Sequence, residues 1–140
     1  MIKEILLAKG IKNNPESINI RQTVFVSEQG FVDEFDDIDD IAWHAVLFVD
    51  KKAVATARVF LSDEGWHVGR VAVLKEYRKM GIGEEVMEAV ENKAKELGAD
   101  EIFLSAQTQA VGFYEKIGYE AYGEMYYDQH CPHLAMKKKI

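Results

Sequence analysis

The stretch Val71-Ala72-Val73-Leu74-Lys75-Glu76-Tyr77-Arg78-Lys79-Met80-Gly81-Ile82-Gly83 decides how this chain is read. A β-prone apolar run enters a loop with two glycines, and a helical pattern opens straight after it. The first turn of a helix carries unpaired backbone N–H groups and the positive end of the helix dipole. Glycines let that backbone approach a bound anion, and Arg78 and Lys79 add charge beside it. Such a loop is a phosphate cradle that a pyrophosphate would fit. The nucleotide-binding P-loop needs Gly-Lys-Ser/Thr, and here Glu84-Glu85 follows Gly83. The dinucleotide fingerprint needs a third glycine that is absent. Taken alone, a tight strand-to-helix connection with a solvated Arg-Lys pair explains the same residues.

Outward from this loop the periodicities are clear. Downstream, Val86, Met87, Val90, Ala94 and Leu97 share one helical face over Gly83 to Leu97, and Gly98 is placed to end the helix. A strand over Glu101–Gln107, a short helix from Ala110 stopped by Gly118, and strands over Tyr119–Tyr127 and His133–Lys139 follow. The lysines 137–139 read as the solvated end of an edge strand. Upstream, Trp43–Val49, Ala53–Leu61 and Trp66–Leu74 are apolar runs separated by short polar turns, an antiparallel meander. Asn14-Pro15-Glu16 reads as a helix start, with Asn as cap and Pro in the first turn; that helix is expected to run to about Val26. Ile2–Ala8 is a strand or a helix on pattern alone. Asp33–Asp40, DEFDDIDD, has six acidic residues in eight and reads as a solvated loop able to steer a cation. The sum is one mixed α/β domain spanning residues 1–140, with a central antiparallel and parallel sheet flanked by helices.

Composition narrows the classes. The 140 residues suit one domain, and 48% hydrophobic with 29% charged is a globular balance. Seventeen basic against twenty-four acidic residues give a net charge of −7, which argues against nucleic acid and mildly favours cationic partners, amines included. One cysteine excludes an internal disulfide framework. No apolar run approaches the roughly 20 residues that span a bilayer, and MIKEILLAKGIKN lacks a signal-peptide plan, so a cytoplasmic protein is expected. No metal is expected. DEFDDIDD lacks the glycine and terminal glutamate of a calcium loop, and His130-Cys131-Pro132-His133 has no second cluster to complete a zinc site. Nothing marks the Cys131 thiol as activated.

Two motifs together resemble the GNAT superfamily of acyl-CoA-dependent N-acyltransferases. Val71 to Gly83 is similar to its central strand and R-x-x-G-x-G pyrophosphate loop. Gln107-Thr108-Gln109-Ala110-Val111-Gly112-Phe113-Tyr114-Glu115-Lys116-Ile117-Gly118-Tyr119 is similar to its Ala-x-x-Phe-Tyr-x-Lys-x-Gly-Tyr signature. Arg21 to Gly30 resembles the R-x-x-V-F-V-x-E-Q-G opening of a small bacterial branch.

The resemblance implies a GNAT-like fold and transfer of an acetyl group from acetyl-CoA to a primary amine of a small molecule or peptide. A non-catalytic acyl-CoA-binding or sensor module is the alternative. Arg78, Lys79, Met80, Gly81, Ile82, Gly83 and Glu84 would hold the pyrophosphate with backbone N–H groups. Val71-Ala72-Val73 would run beside the pantetheine arm, and Gln107 would stand where the next strand splays away. Direct amine attack needs a proton acceptor for the ammonium and a donor for the leaving thiolate. Tyr114 is the candidate donor, with a packed core tyrosine as the competing reading. Glu28, His44 and His133 are the candidate bases, and His133 is also a candidate substrate contact. Open strand edges leave a homodimer open.

Overall fold

The computed structural model describes all 140 residues. Seven strands form one sheet: β1 (Lys3–Lys9), β2 (Trp43–Val49), β3 (Lys52–Ser62), β4 (Gly65–Val73), β5 (Glu101–Gln107), β6 (Glu120–Asp128) and β7 (Cys131–Lys139). Their spatial order is β1-β2-β3-β4-β5-β7-β6. All pairs are antiparallel except β4 with β5. The expected mixed sheet flanked by helices is therefore present, and the meander is β2-β3-β4. Asp50 and Lys51, both at positive φ, make the tight first turn of the meander.

Helix α1 (Pro15–Arg21) continues as a π-helical turn over Gln22–Glu28 and covers one sheet face; α2 (Ile38–Ile41) is a single turn in the acidic stretch. Helix α3 (Ile82–Glu96) and the short α4 (Val111–Lys116) belong to the other face. Val86, Met87, Val90 and Ala94 are at most 1% exposed, as the helical period requires, and each large side chain so buried contributes about 1.5–3 kcal/mol. Leu97, expected on the same face, is instead exposed, because the helix ends at Glu96 and Gly98 turns the chain at φ +107°. Strand β2 reads as a continuous apolar run because both its faces are covered: Ala45, Leu47 and Val49 pack with α3, and Val46 packs with Ile20, Val24 and Phe25 of the α1 side.

Three expectations are corrected. Asn14 does not cap α1 with its side chain. It is buried, and its Nδ2 donates to the carbonyls of Ala8 (3.0 Å) and Gly10 (2.9 Å), tying the end of β1 to the helix start. The lysines 137–139 are not on an edge, because β7 inserts between β5 and β6. Lys138 pairs with Glu91 at 3.0 Å and lies over Tyr119. The acidic stretch is a solvated loop only in part: Asp33, Asp37 and Asp40 are exposed, but Glu34 and Asp39 are buried, 7% and 2% exposed, as counterions of three arginines.

Candidate active site

Strands β4 and β5 are hydrogen-bonded only at Trp66↔Ile102 and His67↔Phe103. Beyond these pairs they diverge. The cause lies in β4, whose register with β3 passes from Arg58↔Gly69 to Thr56↔Ala72, so Arg70 and Val71 together oppose Ala57. The extra residue is a β-bulge, with Arg70 at φ +50°, and a bulge bends its strand and re-aims its side chains. A cavity of about 780 Å³ fills the gap, with Val68–Val71 on one wall, Leu104, Ser105 and Gln107 on the other, and Tyr114 and His133 along it.

The glycine loop lies where β4 hands over to α3. Gly81 occupies the cap position at φ +78°, a left-handed conformation in which a side chain would be strained, although nothing lies within 4 Å of a Cβ there. The first helical bond of α3 runs from the Glu85 amide to Gly81 (3.2 Å). No side chain caps the helix, so the N–H groups of Ile82, Gly83 and Glu84 are without acceptors in the chain. Gly83 is needed for a different reason: a Cβ would stand 3.2 Å from the Phe113 ring. This open-sided cradle, with exposed Lys79 beside it, fits a pyrophosphate.

The structure sorts the expected residues. Val71, Arg78, Gln107, Tyr114, His133 and Glu28 line the cavity. Ala72 is 3% exposed and packs on the α1 side, and Val73 joins the core beneath α3, so these two offer backbone only. The Val73 carbonyl already accepts from Arg78 Nε at 2.9 Å. Tyr114 is buried, edge-on to Phe113 and Tyr119, and its hydroxyl has no partner in the chain. Burial pushes its phenol well above the ordinary value.

Glu28 forms a bidentate pair with Arg78, 2.6 and 2.7 Å, and that hydrogen bonding, aided by the charges of Arg78 and Lys75, holds its carboxyl below the ordinary value. A carboxylate so stabilised is a poor proton acceptor. His44 is 1% exposed, does not line the cavity, and meets the Asp39 carbonyl through Nε2 at 3.0 Å; burial lowers its pKa. It is a core residue of the ionic layer. His133 is different. Its Nδ1 lies 2.9 Å from the Cys131 carbonyl, which can only accept, so Nδ1 carries a hydrogen, and in the neutral ring Nε2 is the nitrogen with the lone pair. The ring is held between Tyr126 and Phe31, stacked on the first and edge-on to the second.

Sequence reasoning missed the ionic layer behind the cavity. Arg21, fully buried at the end of α1, donates to Glu34 Oε2 (2.9 Å) and both Asp39 oxygens (2.7 and 3.1 Å). Arg58 bridges Asp36 and Asp39 (2.7 and 2.8 Å), and Arg70 reaches Glu34 Oε2 (2.8 Å). Burial raises the Asp39 carboxyl, but bonds from Arg21 and the Asp36 amide, with the charges of Arg21 and Arg58, outweigh it and hold it at about 2. For Glu34 burial prevails and its pKa is raised. One signal was available: Arg21 interrupts the apolar face that carries Ile20, Val24 and Phe25, and a charge there needs a buried partner.

Comparison with known proteins agrees with this architecture. Residues 14–140 match the family model described as acetyltransferase (GNAT) domain. The chain is similar to the uncharacterized N-acetyltransferase YjcF of Bacillus subtilis (strain 168), 35% identical over 136 residues, covering 95% of this chain and 97% of that one. Among solved structures it resembles an acyl-CoA N-acyltransferase from Pseudomonas aeruginosa, with a TM-score of 0.85, 25% identity and coverage of 96% and 99%. Escherichia coli ElaA shares the fold, with a TM-score of 0.86 at 24% identity over 99% of this chain and 100% of that one. With its family model matched over nearly the whole length, the chain belongs to the GNAT acetyltransferase family.

Proposed function

We propose that this protein transfers an acetyl group from acetyl-CoA to a primary amine. The observation that carries the reading is the divergence of β4 and β5 after two residue pairs, which leaves a cavity holding an unpartnered phenol and an imidazole with a free lone pair. The likeness to a protein named as an acyl-CoA N-acyltransferase supports the acyl donor. The free N–H groups of Ile82, Gly83 and Glu84 and the Lys79 ammonium would hold the pyrophosphate, and the edge of β4 at Val71 would hold the pantetheine arm.

His133 Nε2 takes a proton from the incoming ammonium. The neutral nitrogen forms its bond to the thioester carbonyl carbon, and the carbon–sulfur bond breaks. Tyr114 gives its phenolic proton to the departing sulfur, the nitrogen's second proton passes through water to the phenolate to restore it, and the proton held by His133 leaves to solvent. A buried phenol is a weaker acid than a free one, and desolvation of a thiolate in the same cavity would raise its proton affinity in the same direction. Glu28 acts on Arg78, as its counterion, rather than on the amine.

The test is continuous measurement of thiol release from acetyl-CoA with a broad panel of primary amines. Wild-type protein should turn over, and Tyr114→Phe should lower kcat by roughly 100-fold, the usual range for one general acid. Saturable CoA binding with no release across the panel would refute transfer and favour the non-catalytic acyl-CoA-binding alternative.

A further inference from the structure

The wall of the cavity formed by β3 and the β4 bulge carries two arginines, Arg58 and Arg70, whose donors are not used up. Arg70, 27% exposed, directs one edge of its guanidinium at Glu34, with Nε 2.8 Å from Oε2 and Nη2 2.9 Å from the main-chain oxygen. Nη2 also lies 3.4 Å from Asp36. Nη1 has no acceptor in the chain, and Arg70 lines the cavity. Beside it Arg58 is 4% exposed and lines the same cavity, and its Nε is the one buried side-chain polar atom without a hydrogen-bond partner. Asp36, itself 35% exposed, is shared between these two arginines.

Three guanidinium groups face three carboxylates here, so no surplus negative charge is left to draw a cation to this wall. Burial, and after it the neighbouring Arg58 charge, lower the pKa of Arg70. Unpaired acidic side chains line the cavity elsewhere, at Asp33 and Asp128. A ligand that satisfies both parts carries a positive amine and a negative group.

We propose that the acetyl acceptor is an amino acid or a similar amine bearing a carboxylate, and that Arg70 Nη1 binds that carboxylate. The inference rests on the amine-transfer reading above. Glu34, locked by Arg21, holds the Nε–Nη2 edge of the guanidinium and leaves Nη1 without an acceptor on a residue that lines the cavity. The left-handed backbone at Arg70 is what turns the side chain to this wall. A charged Nη1 donor left free offers a carboxylate a charge-assisted hydrogen bond, which a neutral amide in its place would receive more weakly.

The experiment compares matched ligands: α- and ω-amino acids, their carboxamides, and the amines that lack the carboxyl group. Each is followed by thiol release from acetyl-CoA and, separately, by calorimetric titration into the CoA-saturated protein. Wild type should favour the acids over their amides by roughly tenfold or more in kcat/KM and in affinity, the scale of one charge-assisted pair. In Arg70→Gln, which removes the charge, that preference should fall towards one. Acids and amides used equally well by wild type would overturn carboxylate recognition and leave transfer standing. A preference unchanged in folded Arg70 variants would overturn it too. Selective, Arg70-dependent binding of acids without thiol release would uphold recognition while refuting transfer. The wild-type ligand pairs decide whether the carboxylate is recognised, and Arg70→Met, neutral and of similar length, assigns the contact where Arg70→Gln folds poorly.

Discussion

Replacing Asp39 by Asn removes one negative charge from a site that is 2% exposed, and leaves Arg21 and Arg58 facing an amide. The wild-type carboxyl is held at about 2 against an ordinary 3.8. A folded-state pKa below the unfolded one gives stability that is complete above the unfolded value and is lost as pH falls through the folded one. The window here is about pH 4 down to pH 2. At about 1.4 kcal/mol per pH unit, the ionised Asp39 contributes on the order of 2 kcal/mol at neutral pH. Leaving two buried guanidinium groups short of a counterion brings the full cost of Asp39→Asn to roughly 3–5 kcal/mol at pH 7, a large share of the stability of a domain this size. Urea unfolding of both proteins from pH 7 to pH 3 measures it. The gap should be several kcal/mol at pH 7 and should narrow below pH 4, because only wild type has this proton to gain. Glu34 acts with the opposite sign, since its raised pKa makes the folded protein take up a proton more readily than the unfolded chain just above pH 4.5. Acid sensitivity from the layer therefore sets in below pH 4. A gap under about 1 kcal/mol at pH 7, or one that ignores pH, would refute the counterion argument.

Glu28→Gln separates the Arg78 counterion from a catalytic base: it should alter KM for acetyl-CoA while kcat stays within about threefold, whereas loss of a general base costs 100-fold or more. Steady-state kinetics with saturating amine reads the split. At Gly81 the constraint is conformational and not steric, with φ +78° and open space around a Cβ. Gly81→Asn should cost less than about 1 kcal/mol of unfolding free energy and Gly81→Val about 2, since only short polar side chains tolerate the left-handed region. Equal losses in urea unfolding would mean that contact, and not backbone strain, governs the position.

Local order was legible in the residues themselves. The meander, the helix over Ile82–Glu96 and the hairpin of β6 and β7 follow from periodicity and turn chemistry within a few residues. The glycine loop is equally local, because its chemistry is backbone N–H at a helix start. Tertiary structure alone decided which charges meet. Arg21 finds Glu34 thirteen residues on, and Arg78 finds Glu28 fifty residues back. A run of aspartates reads as solvated until the arginines that neutralise it are placed beside it by β3, the β4 bulge and α1. The three candidate bases could not be ranked for the same reason. Spacing describes a side chain's direction on its own element, whereas burial of His44, pairing of Glu28 and the free Nε2 of His133 depend on elements packed from elsewhere. The insertion of β7 between β5 and β6, which brings His133 opposite Gln107, is likewise a matter of strand order, and strand order leaves no trace in local pattern.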